Sequence, residues 1–191
     1  MSAHKFGPVF DEHIKVAGET ARLLETPFEA LADACAASVR NGGKLMFFGN
    51  GGSAADSQHI ATELSVRFVN DRKPIAALAL TTDTSVLTAA ANDMGYEQVF
   101  ARQVEALGRK GDVAIGFSTS GKSRNVVLAL EAARRMGIVT VAFTGADGAL
   151  LTPLADHLLN VPSKVTARIQ EMHITLGHLL CGALEERLGL G

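Results

Sequence analysis

Lys44-Leu45-Met46-Phe47-Phe48 runs directly into Gly49-Asn50-Gly51-Gly52-Ser53-Ala54, and a stretch of helical spacing, Ser53–Phe68, follows. A short run with no polar alternation reads as a strand buried on both faces, the signature of a parallel sheet. The same pattern recurs at Ile75–Leu80, Asp112–Phe117, Ile138–Phe143 and His157–Val161. Between these runs lie the helix-spaced stretches Tyr96–Leu107 and Ser123–Met136, and Thr166–Leu188 follows the last. Strands alternating with helices require right-handed βαβ crossovers. The fold class expected is therefore α/β: a three-layer α/β/α sandwich with about five parallel strands. The first 41 residues read instead as an N-terminal helical extension of two helices, roughly Val9–Leu24 and Phe28–Asn41. Pro27 would open the second, where a missing N–H costs nothing, and Asn41-Gly42-Gly43 would end it. With no sheet partner in sequence, this extension is expected to pack across the sandwich or against another subunit.

The chain has 191 residues, 47% apolar and 20% charged, the profile of one globular domain. A net charge of −2 gives no electrostatic footprint for nucleic acid or an anionic membrane, so neither partner is expected. No apolar run approaches the roughly 20 residues of a membrane span. The start, MSAHKFGPVFDEH, has no secretory h-region, and the expected location is cytoplasmic. Cys35 and Cys181 lack CxxC spacing and read as buried free thiols.

In open α/β sheets ligands sit beyond the carboxyl ends of the strands, so the loops there carry the chemistry. Gly49–Ala54 fits the dinucleotide fingerprint G-x-G-x-x-A, which wants an acid about 20 residues on, at the end of the second strand. Asp71 comes before that strand and Asp83 follows too late. Gly116-Phe117-Ser118-Thr119-Ser120-Gly121-Lys122-Ser123 reads as G-x-x-x-x-G-K-S, yet no later strand ends in the Asp that would help hold magnesium. Both loops share the physics of their imitators. Glycine lets backbone approach an anion, free N–H groups at a helix start favour negative charge, and Ser118, Thr119, Ser120 and Ser123 add hydroxyls. Two such loops in one small sheet point to a phosphorylated small molecule.

His59 and Glu63, at i and i+4, share one helix face and can share an ion or simply pair. Asp56 lies near that face, where it serves equally as an acid favoured by the helix dipole. In the last helix, His178 stands in the apolar stretch Leu176–Leu180 and needs a partner, in the core or on a metal. Gln170 is eight residues earlier, about 12 Å along the axis and about 80° around it. One ion held by both requires either a bend near Gln170 or two subunits. His4, His13 and His157 lack such neighbours and read as surface or loop residues; His173 shares the Gln170 face.

GNGGSAADSQHIATE, TTDTSVLTAAANDMGYE, GFSTSGKSRNV and TARIQEMHITLGH together resemble the bacterial sedoheptulose 7-phosphate isomerases (phosphoheptose isomerases) of the sugar isomerase (SIS) superfamily. The resemblance runs over nearly the whole chain and implies a single flavodoxin-like SIS domain over 1–191, with 1–41 in oligomer contacts. It implies one zinc ion per subunit on His59, Glu63, Gln170 and His178. It implies substrate contacts from Asn50, Gly51, Gly52, Ser53, Glu63, Asn92, Asp93, Ser118, Thr119, Ser120, Ser123 and Gln170. It also implies a homotetramer with sites between subunits. The reaction implied converts sedoheptulose 7-phosphate to D-glycero-D-manno-heptose 7-phosphate through an enediol. That is the first step toward ADP- or GDP-heptose and the heptose of lipopolysaccharide or other surface glycans. Moving a carbonyl from C2 to C1 needs a base for carbon and a group that manages the oxygens. Glu63 is expected to carry the proton between carbons and His178 to act as acid or base at oxygen or in ring opening, with zinc polarising the oxygens. The alternative is a non-catalytic SIS-fold protein that binds the replication initiator. Such proteins share an ARIQEMH segment but lack the full metal set, whereas Glu63 and His178 are both present here. A sugar-phosphate-sensing regulator would need a DNA-binding domain, for which this reading leaves no residues. Lys122 either pairs with the phosphate or faces solvent; Arg67 either holds a substrate anion or joins a surface ion pair.

Overall fold

The computed structural model of the chain describes residues 6–146, 148 and 150–190. The elements in order are α1 (Phe6–Arg40), β1 (Leu45–Gly49), α2 (Gly52–Ser65), β2 (Ala77–Ala79), α3 (Thr84–Met94), a 3₁₀ turn (Tyr96–Gln98), α4 (Ala101–Leu107), β3 (Val113–Ser118), α5 (Arg124–Arg135), β4 (Val139–Gly145), β5 (His157–Val161) and α6 (Thr166–Arg187). The five strands form one parallel sheet in the order β2-β1-β3-β4-β5. This is the flavodoxin-type order, and the winding reverses between β1 and β3, the switch point beyond which such sheets bind their ligands. The two glycine loops expected to bind anions follow β1 and β3 and therefore flank that switch point.

Alternation along each strand builds two cores. Leu45, Phe47, Ile115, Phe117 and Phe143 face the layer made by α1, α2 and α6. Met46, Phe48, Ala114 and Ala142 face the layer made by α4 and α5, where Val126 and Leu130 of α5 are completely buried. Cys35 and Cys181 are free and buried, and burial pushes both thiols up to about 12, so both stay protonated and inert at neutral pH. No helix among the described residues is long and apolar enough to cross a membrane.

The helical extension differs from the expectation. Instead of two helices there is one, Phe6–Arg40, with Pro27 inside it. An interior proline costs about 3 kcal/mol of helix stability. Leu24, Phe28, Leu31 and Ala32 lie on one buried stripe across the proline, packed on α6 and β5. Burying a single large apolar side chain contributes about 1.5–3 kcal/mol, so packing on both sides of Pro27 outweighs the break. The expected helix Tyr96–Leu107 is likewise split into the 3₁₀ turn and α4, and α3 was not foreseen.

Candidate active site

The loop after β1 turns at Gly51, whose φ of 58° and ψ of −122° suit glycine. Gly49 cannot carry a side chain either, because a Cβ there would sit 2.8 Å from the Cβ of Ser53 and 3.0 Å from the Phe117 carbonyl oxygen. Gly52 and the buried Ser53 open α2 just after this turn, the Ser53 N–H donating to the Asn50 carbonyl and the Ala54 N–H to the Gly51 carbonyl. Asn50 does not hang free. Its Nδ2 donates to Asn125 Oδ1 (2.9 Å), and Asn125 Nδ2 donates back to Asn50 Oδ1 (2.8 Å), which also accepts from the Tyr96 hydroxyl (3.3 Å). Asn125, at the start of α5, locks the two glycine loops together across the switch point. Asn92 and Asp93 lie exposed on the last turn of α3, bonded to each other at 2.7 Å, and the 3₁₀ turn that follows delivers Tyr96 to Asn50.

The loop after β3 closes on itself. Ser118 Oγ donates to Ser123 Oγ (2.9 Å), the Lys122 N–H donates to Ser120 Oγ (3.2 Å), and Gly121 turns at φ 66°. Thr119, Ser120, Lys122, Ser163, Lys164 and Thr166 line a cavity of about 140 Å³ here, with Ala146 and Ile169 completing it. So small a space lined by hydroxyl residues and two lysines suits a phosphoryl group. Sequence reasoning missed Ser163, Lys164 and Thr166. Their signal was position: they follow the last strand, at the same end of the sheet as the serine loop.

α2 and α6 run side by side in the same direction. A Cβ on Gly52 would come within 2.5 Å of Gln170 Nε2, and one on Gly177 within 2.6 Å of Ile60 Cδ1, so contacts advance together along both helices. In that register His178 meets His59, their Nε2 atoms 2.9 Å apart, and His59 Nε2 lies 3.4 Å from Glu63 Oε1. One imidazole donates in the His59–His178 bond and the other accepts. Phe68 stacks on the outer face of His178, with ring centroids 5.7 Å apart. α6 begins at Thr166 and passes through Gln170 as helix, so Gln170 lies against Gly52 rather than beside His178. Asp56 has a buried Oδ2 without a hydrogen-bond partner among the described residues. Burial pushes its carboxyl above the usual range, and the nearby His59 pulls it part of the way back. Arg67 is exposed just after α2.

Two imidazoles and a carboxylate are zinc-type donors, and His59 brings His178 and Glu63 into its reach. Among the described residues, however, no three His, Cys, Asp or Glu side chains are poised to hold a metal ion together. The donors fit a metal in kind: His59 is hydrogen-bonded to His178 and lies within ion-pair distance of Glu63.

The other described histidines have different neighbours. His173 is fully buried against Phe117 and Phe143, with Nε2 3.3 Å from the Thr144 carbonyl and Nδ1 without a partner among the described residues. Burial pulls its imidazole down to about 4, with the Thr144 contact opposing. His13, expected to stand alone, bonds Glu171 of α6 at 2.8 Å, and His157 opens β5 opposite Val141. His4 lies outside the described residues.

A family profile for the SIS domain matches residues 10–145. The phosphoheptose isomerase of Paramagnetospirillum magneticum is 59% identical over 174 residues, covering 91% of this chain and 91% of its own. The chain belongs to the phosphoheptose isomerase family. Two solved structures of that family superpose on it closely. The enzyme from Neisseria gonorrhoeae does so with a TM-score of 0.90 at 44% identity, covering 94% of this chain and 96% of that one. The one from Francisella tularensis has a TM-score of 0.93 at 36% identity, covering 97% and 99%. As a member of this SIS family the chain is an isomerase. The non-catalytic initiator-binding alternative finds no support among these relatives.

Proposed function

We propose that this chain is the aldose–ketose isomerase that converts sedoheptulose 7-phosphate to D-glycero-D-manno-heptose 7-phosphate. The observation that carries the reading is the meeting of His178 from α6 with His59, which also lies beside Glu63 on α2, in a fold whose serine loop lines a phosphate-sized cavity. Glu63, its side chain one-quarter exposed, takes the proton from C1 of the ketose and returns it to C2. His178 moves the proton between the C2 and C1 oxygens, so the enediol forms and collapses with no net gain or loss of protons. Ser118, Thr119, Ser120 and Ser123, with Lys122 and Lys164 near them, hold the phosphate and lend its binding energy to orientation. A zinc ion on His59, Glu63 and His178 would polarise the C1 and C2 oxygens, and Gln170 would complete its donor set.

Gln170 and His178 point to different parts of α2 within one chain, and Thr166 at the cavity is about 18 Å along α6 from His178. This separation supports a site assembled from two subunits, within a homotetramer. A groove of about 920 Å³ exposes His178 beside Phe28, Phe68 and Leu179, and Phe6, Phe10 and Ile14 line up at four-residue spacing on the outer face of α1. A second copy would cover both. Buried, protonated thiols agree with a reducing cytoplasm, and the product would supply heptose for surface glycans. The test is to incubate the protein with sedoheptulose 7-phosphate and follow the product by NMR. Metal content and mass by light scattering are measured on the same sample. Absence of the aldose product would refute the assignment; full activity in rigorously metal-free protein would remove zinc from it.

A further inference from the structure

The last carbonyls of a helix lack intrahelical partners, and at the end of α2 these belong to the residues that matter. Arg72 Nη2 donates to the Glu63 carbonyl (2.8 Å) and Nη1 to the Leu64 carbonyl (2.6 Å), which the Ile75 N–H also reaches at 3.0 Å. The same guanidinium donates through Nε to Glu185 Oε1 at 2.9 Å, two turns beyond His178 on α6. Glu185 in turn accepts from the Phe68 N–H (3.4 Å), the Asn70 N–H (3.4 Å) and Asn70 Nδ2 (3.1 Å). Phe68 is the residue whose ring lies on the His178 imidazole. The Arg72 and Glu185 side chains are only 2% and 4% exposed. A buried ion pair is poor evidence of stability for its own sake, because desolvation offsets much of the attraction. What this one does is tie the main chain of Glu63, the segment bearing Phe68 and the helix bearing His178 to one planar fork.

We infer that Arg72 and Glu185 are positioning residues, which set the Glu63 carboxylate and the His178 imidazole at their working separation. The inference rests on the reading that Glu63 and His178 move the protons. Lysine cannot replace Arg72, because a single ammonium has no rigid fork with which to serve two carbonyls and a carboxylate at once. Misplacing a reacting group by a fraction of an ångström lowers turnover steeply while leaving the remote phosphate anchor untouched.

The test compares Arg72→Lys, Arg72→Met and Arg72→Met/Glu185→Met as full-length assembled enzyme, with Glu63→Gln alongside. The expected result is a kcat loss of about ten- to a hundredfold in all three, with KM changed by less than about threefold. The double variant, having no unpaired buried charge, regains the Tm lost in Arg72→Met but not the kcat. Recovery of kcat together with Tm would overturn the inference, since the pair would then be merely structural. A second readout does not depend on turnover. In histidine-labelled protein the His178 ring signals should move in the double variant while those of the core His173 stay fixed. Unmoved His178 signals would overturn the clamp. Full activity in Glu63→Gln would instead sink the assigned proton carrier, leaving the clamp to be judged by the ring signals alone.

Discussion

Replacing His173 by leucine should remove a specific part of the protein's acid sensitivity. The imidazole is completely buried between Phe117 and Phe143, and burial pulls it from 6.5 down to about 4. Below its ordinary pKa the unfolded chain takes up a proton at this position while the native chain stays neutral. The unfolded state then binds more protons, so stability rises with pH across the window from about 4 to 6.5. The contribution is fully present above 6.5 and is lost as the pH falls toward 4. A separation of that size corresponds to roughly 3 kcal/mol in all, of which about 2 kcal/mol disappears between about pH 7.5 and about pH 5. Other groups add their own slopes, and both Glu171 and Glu185 sit below the usual carboxylate range. For each, burial raises the carboxyl but hydrogen bonds to arginine and other donors outweigh it. The His173 share is therefore read as a difference. Urea melts of wild type and His173→Leu, at one fixed protomer concentration, should show a wild-type-minus-variant stability difference about 2 kcal/mol more positive at about pH 7.5 than at about pH 5. Wild type and variant losing stability in parallel over that range would refute the claim that the native state keeps this imidazole neutral.

Three further outcomes follow from the site. Glu63→Gln should lower turnover by at least about a hundredfold, with the circular dichroism spectrum and assembled mass unchanged, because the carboxylate faces His59 at the surface rather than the core. Ser120→Ala should raise KM more than it lowers kcat, since Ser120 lines the phosphate-sized cavity; steady-state kinetics with sedoheptulose 7-phosphate separate the two. Gly121→Ala places a Cβ at positive φ and 2.5 Å from the Gly148 Cα, a backbone atom that cannot swing aside. It should lower the urea-unfolding free energy by about 1–3 kcal/mol and raise KM with it.

The sheet was legible because each central strand is a nearly continuous apolar run, and β5 begins and ends at the residues expected, His157 and Val161. Helix ends were harder wherever tertiary packing overrode local signals, as it does at Pro27. α3 escaped notice because only Ala90 is buried in it, so no apolar stripe marks it. Its one sequence signal was Asp83, whose carboxylate accepts from the Val86 N–H at 3.0 Å as an N-cap. In the site, His59 with Glu63 and the anion-type loops could be read locally, and α-helical spacing alone separated Gln170 from His178. Partners brought together only by folding could not be read. Asn125 reaches Asn50 across 75 positions and Glu185 reaches Arg72 across 113, and neither pair leaves a trace in local pattern.

The unbroken α1 also affects how the molecule behaves on dilution. At 1.5 Å per residue its 35 residues span about 52 Å, whereas a compact chain of this length is only roughly 40 Å across. Its first turns rest on α6, where Arg168 donates to the Val9 carbonyl and His13 bonds Glu171, yet Phe6 and Phe10 on the outer side are 79% and 52% exposed. In the proposed assembly a neighbouring molecule would cover those two rings. Lowering the protein concentration should then fray α1 from its tip inward before the sheet loosens, so that the ordering of those first turns and association become a single equilibrium.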